Sequence, residues 1–363
     1  MNTRWIGSLA LLVVGLLVNA PASGQYTGSI VAWGLDGDGQ CNVPAPNSGF
    51  IAIAAGWYHS LGVRADGSIM AFGWNVQGQC YVPPPNSDFV AVAGGWGHSL
   101  GLKADGSIGA WGDNTWGQCN VPAPNTGFVA CAGGGWHNLG LQADGSIVAW
   151  GDTDYGDCSV PAPNTGFVAV AGGGWHSLGL KADGSIAAWG YNHDGQCNVP
   201  TPNGGFVAVA GGVNHSLGLK TDGSVVAWGM KDFGQCDVPA PNNGFVAIAA
   251  GYWHSLGLKV DGSIVAWGRN VDGECDVPAP NSGFVAVAAG QWHSLGLKAF
   301  YGDLNCDGVV NAADINPFVA ALSGPAAYYG LVPLCHLLNA DINNDGHVDF
   351  GDINPFVALL AGS

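Results

Sequence analysis

Phe167-Val-Ala-Val-Ala-Gly-Gly-Gly-Trp175-His176-Ser-Leu-Gly-Leu-Lys181-Ala-Asp183-Gly184-Ser185-Ile-Ala-Ala-Trp189-Gly190 holds three short apolar runs separated by turn residues. The runs are Phe167 to Ala171, His176 to Lys181 and Ser185 to Trp189. Each has the length of a strand and is too short for a helix. Asp183-Gly184 is the dipeptide favoured in tight hairpins, where both central residues need positive φ, so it predicts antiparallel pairing of the second and third runs. The loop that follows, Cys197-Asn-Val-Pro-Thr-Pro-Asn203, carries prolines that cannot donate to a sheet ladder and therefore lies outside one.

Outward from this stretch the same pattern recurs every 39 residues. Trp33, Phe72, Trp111, Trp150, Trp189, Trp228 and Trp267 keep that step, as do His59, His98, His137, His176, His215, His254 and His293. Cys41, Cys80, Cys119, Cys158, Cys197, Cys236 and Cys275 follow it too, with no insertion or deletion between residues 28 and 298. A 39-residue unit is too long for one strand per turn of a solenoid, whereas three antiparallel strands per unit, repeated seven times, fit a radial propeller. The array enters on a lone third strand, Ser29 to Trp33, and leaves on an unpartnered first and second strand, Phe284 to Lys298. Joining the two ends completes the seventh blade and closes the ring without an open interior edge. The expected fold is therefore all-β: a seven-bladed β-propeller with three-stranded blades over residues 28–298.

Composition agrees with a turn-rich β protein. The chain of 363 residues has 61 glycines and only 10% charged residues, and Glu274 is its only glutamate among 26 acidic residues. A net charge of −17 argues against nucleic acid and anionic membrane as partners, since both require a basic surface. Arg4, the apolar run from Trp5 to Val18 and the small-x-small motif Ala20-Pro21-Ala22 read as a cleaved signal peptide over residues 1–24. Export to a secreted, cell-surface or periplasmic location is expected, with no membrane span in the mature chain and disulfides permitted.

The pattern Gly-x-x-His-x-Leu-x-Leu-x-x-Asp-Gly-x-x-x-x-Trp-Gly, followed by Gly-Gln, resembles the regulator of chromosome condensation repeat. Its short period, with Val-Pro after Gly-Gln, resembles in particular the secreted propeller-type β-lactamase inhibitor proteins. The resemblance implies three-stranded blades and a partner-binding face built from loops, with aromatic contact residues on those loops. A feature present in every unit serves every blade, so the repeated histidines are expected to be buried imidazoles bonded to neighbouring backbone. The repeated tryptophans are expected as core and the repeated cysteines as small buried residues, an odd set that cannot pair completely. Cys131, where other units have Val or Ile, reads as a core substitution.

Function is expected where the frame stays fixed and the residue changes. Two windows do so, one just before each histidine and one just before each Gly-Gln. Together they offer Trp57, Tyr58, Trp96, Trp116, Trp136, Tyr155, Trp175, Phe233, Tyr252, Trp253 and Trp292 as a ring of contact residues for a protein or a glycan. Asp38, Asp154, Asp194 and Asp272 add negative charge, favouring a partner with basic or hydroxyl-rich groups. No nucleophile motif or one-sided acid/base cluster points to catalysis, so a non-enzymatic binding protein is expected. His193 and Asp194 are the residues a rival reading, an extracellular polysaccharide lyase or hydrolase, would use. A structural envelope or matrix protein is the other alternative.

After Lys298 the pattern changes. Asp303, Asn305, Asp307, Val309, Asn311 and Asp314 fall at positions 1, 3, 5, 7, 9 and 12 of a calcium loop, with Gly308 at position 6. Asp341, Asn343, Asp345, His347, Asp349 and Asp352 repeat it 38 residues on, with Gly346 at the turn. Val309 and His347 contribute backbone carbonyls, and two bound Ca²⁺ ions are expected. Each loop runs into Asp-Ile-Asn-Pro-Phe-Val-Ala and a short apolar helix, a pairing that resembles the dockerin module over residues 302–363. The resemblance implies calcium-dependent docking to a cohesin-like or surface scaffold protein. Dockerins that bind cellulosomal cohesins often carry polar pairs at positions 10 and 11, with basic residues on the helices. Here Ala312-Ala313 and Phe350-Gly351 stand there, and the module has no Lys or Arg, which argues against a cellulosomal partner. Cys306 and Cys335, the only cysteines of the module, are expected to form a disulfide.

Overall fold

The computed structural model describes residues 27–299, 302–305, 310–331, 337–342 and 347–361. The signal peptide expected over residues 1–24 lies outside them. Twenty-one strands occupy 28–299, in five separate three-stranded sheets and one of six strands. In the unit quoted above the strands are Phe167–Gly172, His176–Lys181 and Ile186–Gly190. Register places His176 opposite Gly190 and Leu180 opposite Ile186, with a one-residue shift between Phe167 and Ala169 on the other side. The middle strand is buried at His176 to Leu180 because a neighbouring sheet covers each face, so it lacks the apolar–polar alternation of a half-exposed strand. Gly179 sits where a Cβ would come within 2.5 Å of the Phe167 ring. Its lack of a side chain lets that ring lie across the strand.

The Asp-Gly hairpin differs from expectation. Lys181 N–H donates to Ser185 O (2.8 Å) and Gly184 N–H to Lys181 O (2.9 Å), enclosing three residues, not two. Only Gly184 has positive φ (+79°). Asp183 Oδ1 accepts from Ser185 N–H (2.9 Å) and Oγ–H (2.6 Å), so the carboxylate closes the loop and one left-handed position suffices.

The two ends of the array meet. Strand Gly28–Gly34 pairs along its whole length with the last strand, His293–Ala299, Gly34 lying opposite His293. A single residue pair, Gly28 with Phe50, links this unit to the next, which is why two three-stranded units share one six-stranded sheet. Apolar clusters join neighbouring units. Leu178, Leu180 and Ile186 pack with Phe206, Val209 and Trp228, and at the closure Leu295 and Leu297 pack with Ile30, Phe50, Ile53 and Phe72.

A polar node accompanies each cluster. His176 Nε2 lies 2.9 Å from Ser216 Oγ. Ser216 Oγ–H donates to Gln196 O (2.9 Å), and Trp228 Nε1–H donates to the same carbonyl (2.8 Å). With its hydrogen committed to the carbonyl, the serine accepts, so the histidine carries its proton on Nε2. The links run from His59 to Ser99, His98 to Asn138, His137 to Ser177, His176 to Ser216, His215 to Ser255, His254 to Ser294 and His293 to Ser60, back to the start. The histidines are buried as expected, but their partner is a side chain of the next unit and not local backbone. Phe72 interrupts the pattern: Gln40 O accepts from Ser60 Oγ–H (2.8 Å) with no indole in that unit to add a second bond.

Two outcomes are expected. Trp189→Phe removes the Nε1–H bond to Asp157 O and lowers stability by about 1 kcal/mol, while Phe72→Trp supplies the missing bond and raises it by about 0.5–1.5 kcal/mol; chemical denaturation reads both. The buried histidines also set an acid limit. Burial pushes His59, His176, His215 and His254 down to about 3 and His98 and His293 to about 4, against 6.5 when unfolded. Below pH 6.5 the unfolded chain binds protons that the folded one refuses, so stability falls as pH drops from 6.5 toward 4. Denaturation midpoints at pH 7.5, 6 and 5 should decline in that order, and equal midpoints would contradict neutral buried imidazoles.

Candidate functional site

Both variable windows emerge at the end of the sheets opposite the Asp-Gly hairpins, where first strands finish and third strands exit. Trp57 is the hub of an aromatic network there. Its ring centroid lies 5.4 Å from that of Trp136, 6.2 Å from Trp175 and 5.6 Å from Tyr252, each edge to face. Gly135 makes room for it, since a Cβ there would already touch the Trp57 ring at 3.4 Å and Gly174 O at 2.4 Å. Trp136 stacks on Trp175 (5.6 Å), and Phe233 on Trp253 (4.5 Å), which meets Tyr252 at 4.4 Å. Trp96 joins through Trp136, Tyr58 and Tyr252 through Trp292, and Tyr155 through Trp175. Ten of the eleven expected aromatics thus form one network. Trp116, 50% exposed, is the eleventh; Tyr155 and Phe233 are also well exposed, and the others are half-buried against one another.

The network includes two residues that the sequence analysis missed. Trp74 bridges Tyr58 and Trp96, and Tyr191 packs edge-on against Tyr155 (5.2 Å) and Trp175 (6.2 Å). They occupy a third variable position, directly after the glycine that ends each third strand: Leu35, Trp74, Asp113, Asp152, Tyr191, Met230 and Arg269. Variation in a fixed frame was the available signal.

Backbone and buried side chains hold the face rigid. Trp57 N–H donates to Gly95 O, Trp96 N–H to Gly135 O and Gln291 N–H to Trp57 O, each at 3.0 Å, tying loops of successive units together. The buried glutamine of each Gly-Gln pins the second window. Gln118 Oε1 accepts from Trp116 N–H (2.8 Å), and Gln235 Oε1 from Phe233 N–H (3.0 Å). Two units depart from glutamine. Glu274 keeps the bond through Oε2, from Asp272 N–H (2.8 Å), and pairs Oε1 with Arg269 Nη1 (2.6 Å). Arg269 also pairs with Asp272 (2.7 Å) and lies over the Trp253 and Trp292 rings, 5.9 and 5.5 Å from their centroids. Asp157, one methylene shorter than Glu, turns to His137 Nδ1 (3.1 Å).

Asp157, His137 and Ser177 thus line up like an acid–base relay. All three are at most 1% exposed, and Ser177 Oγ–H is spent on Asp157 O (2.8 Å), so no substrate reaches it. His193 and Asp194 are in contact on the aromatic face (3.2 Å), with His193 76% exposed and stacked on Tyr191. The repeated cysteines are free and half-buried, less enclosed than expected, each thiol against a carbonyl such as Tyr191 O for Cys197 (3.3 Å). Burial pushes the Cys197 thiol up to about 11, so it stays protonated and a poor nucleophile at neutral pH. Cys131 is fully buried in the core, as its position implied. Among the described residues no helix is long and apolar enough to cross a membrane.

Among the described residues the C-terminal segment has three short α-helices, α1 (Ile315–Leu322), α2 (Pro325–Leu331) and α3 (Ile353–Ala361). Phe318 of α1 stacks on Phe356 of α3 at 4.1 Å, in a core with Leu304, Tyr328 and Ala340. The repeated sequence produces the same bonds twice. Asp314 Oδ2 accepts from Asn311 N–H (2.8 Å) and its Oδ1 from Leu304 N–H (2.6 Å), as Asp352 accepts from Asp349 N–H (2.9 Å) and Ile342 N–H (2.7 Å). Asn311 and Asp349 cap the following turns through Ala313 N–H and Gly351 N–H. Asp303, Asp314, Asp341 and Asp352 are fully buried. Asp307, Val309, Asn343 and Asp345 lie outside the described residues, as do Cys306 and Cys335. Among the described residues no group of three or more His, Cys, Asp or Glu side chains is assembled for a metal.

The family described as "Regulator of chromosome condensation (RCC1) repeat" matches residues 50–79, 89–118, 167–196, 206–235 and 245–274. Among solved structures, Prp20p from Saccharomyces cerevisiae aligns with a TM-score of 0.65 at 18% identity, covering 76% of this chain and 92% of that one. Human WBSCR16 aligns at 0.60 and 20% identity, covering 75% and 99%. The ectodomain of the Arabidopsis thaliana receptor kinase ACR4 aligns at 0.55 and 22% identity, covering 67% and 90%. No curated protein matches the chain. Repeat matches and structural likeness agree on the fold, a propeller with three-stranded blades in which five segments are similar to the RCC1 repeat.

Proposed function

We propose that the chain is an exported, non-enzymatic binding protein: a closed seven-bladed ring that presents its aromatic end to a macromolecular partner, with a calcium-dependent docking module behind it. The observation that carries this reading is the continuous aromatic network around Trp57, on loops fixed by bonds between successive units. Rigid aromatic planes give large contact area with little rotamer entropy to lose on binding. Prp20p, described with binding properties to Gsp1p and histones, offers a precedent for protein binding on this fold. A pull-down with the wild type and with Trp136→Ala plus Trp175→Ala, both checked for folding by circular dichroism, tests it. Loss of one defined partner by tenfold or more is expected. Equal capture by both proteins would place the contacts elsewhere.

For residues 302–363, the paired loops, the four buried carboxylates and the absence of any Lys or Arg fit two Ca²⁺ ions. Buried carboxylates need compensating positive charge, and hard oxygen donors suit this cation. Asp303, Asn305, Asp307, Asn311 and Asp314 would hold one ion, with the Val309 carbonyl, and Asp341, Asn343, Asp345, Asp349 and Asp352 the other, with the His347 carbonyl. Bound calcium would neutralise the loops and so stabilise the module. Ile315 and Val319 on α1, and Ile353 and Val357 on α3, are exposed in matching positions and supply apolar contact for a docked protein. Chelation should unfold 302–363 and leave the β-sheet transition where it was. One calcium-dependent melt for the whole chain would contradict that division.

A further inference from the structure

The two ends of the β domain differ in charge. Arg64, Lys103, Lys181, Lys220, Lys259 and Lys298 sit at the hairpin end, each against the Phe ring of its own unit. The loops of the aromatic end carry Lys231 and Arg269 against Asp38, Asp154, Asp194, Asp232 and Asp272. Of these carboxylates only Asp272 pairs with an Arg or Lys side chain. Buried polar atoms without a partner occur here as donors, Trp292 Nε1 and the Nε2 of Gln79, Gln196 and Gln235, and as acceptors. Asn214 donates Nδ2–H to Asp194 Oδ2 (2.9 Å), leaving its own Oδ1 buried without a partner. Gln291, 5% exposed, lines the axial cavity of about 90 Å³ beside Trp57 and Tyr252, and its Oε1 has no partner either.

Arg269 shows what such a surface holds. Its guanidinium lies over Trp253 and Trp292 and bonds two carboxylates. The unit that follows Tyr155 offers the same ingredients with no Lys or Arg among them: Trp175 and Tyr191 in contact with Tyr155, flanked in sequence by Asp154 and Asp194, with His193 stacked on Tyr191 and 3.2 Å from Asp194. We infer that the occupant of the aromatic end is a cationic protein segment, with Arg or Lys side chains seated on Tyr155, Trp175 and Tyr191 beside Asp154 and Asp194. The inference rests on the binding reading above and narrows it from protein or glycan to basic protein. Cation–π attraction and carboxylate pairing act together on a guanidinium, whereas a neutral sugar uses the rings alone.

The test titrates the full chain, loaded with calcium, with a polyarginine peptide and with cellohexaose, following tryptophan fluorescence. The variants are Asp154→Asn with Asp194→Asn, Trp175→Ala, and Asp105→Asn with Asp222→Asn at the hairpin end as a control. The inference expects polyarginine affinity to fall about tenfold in the first two variants and to stay unchanged in the control, with strong weakening by added NaCl. Equal loss in the control, or no loss in the Asp154/Asp194 variant, would mean diffuse attraction to an acidic protein and overturn it. Binding of cellohexaose that Trp175→Ala abolishes and the Asn substitutions spare would also overturn it while leaving the aromatic face as the binding site. A Trp175→Ala chain that still captures the natural partner would remove the underlying reading itself.

Discussion

The carbonyl of the residue before each repeated cysteine is the joint on which the β domain depends. It receives a serine or asparagine of the next strand pair and, in six units of seven, a tryptophan indole, while the serine or asparagine accepts from a histidine one unit back. Each bond is worth about 1 kcal/mol by itself, but each is buried, and a buried polar group left unpaired costs more than the bond contributes. The histidine and the serine or asparagine therefore recur at every junction, and the indole at six of the seven. Their recurrence at one spacing follows from a need that every junction shares. The chain of links returning from His293 to Ser60 gives the first and last units the same junction as the others.

Such a scaffold separates stability from recognition. Residues that hold one unit to the next point inward or between sheets and leave almost no exposed surface. Those free to differ sit on loops whose backbone is already fixed by bonds such as Trp57 N–H to Gly95 O. Side chains there change without disturbing a junction, provided neighbours leave room, as Gly135 does for Trp57. The aromatic face is thus large and stiff, as the binding role proposed for it requires. The buried Asp157–His137–Ser177 line shows the same separation from the other side: a geometry associated with catalysis, spent on holding sheets together.

Charge follows a similar division. At the hairpin end each Lys or Arg lies along a Phe ring, covering apolar surface with its methylene stem. At the aromatic end carboxylates outnumber cations, and Arg269 is held by its own loop. In the C-terminal module Asp303, Asp314, Asp341 and Asp352 are buried, Asp349 is exposed, and residues 302–363 contain no Lys or Arg.

The 39-residue step, the three runs per unit and the offset ends were enough to deduce the strands, their order and the closure, because a repeat obliges every unit to solve the same packing problem. The aromatic positions were legible for the converse reason, as the residues that break an otherwise strict repeat. Three matters needed the tertiary structure. The histidine partner is a serine or asparagine 40 residues away, on the next unit, and nothing in local sequence orders that pair. The hairpin closes over three residues because the Asp183 carboxylate captures Ser185, a side-chain choice that the Asp-Gly signal does not encode. Trp74 and Tyr191 entered the face only when strand exits and first-strand loops were seen to meet at one end. Sequence determined which residues must be alike; the folded ring decided which of the unlike ones touch, because contact across units depends on how sheets are arranged around an axis and not on distance along the chain.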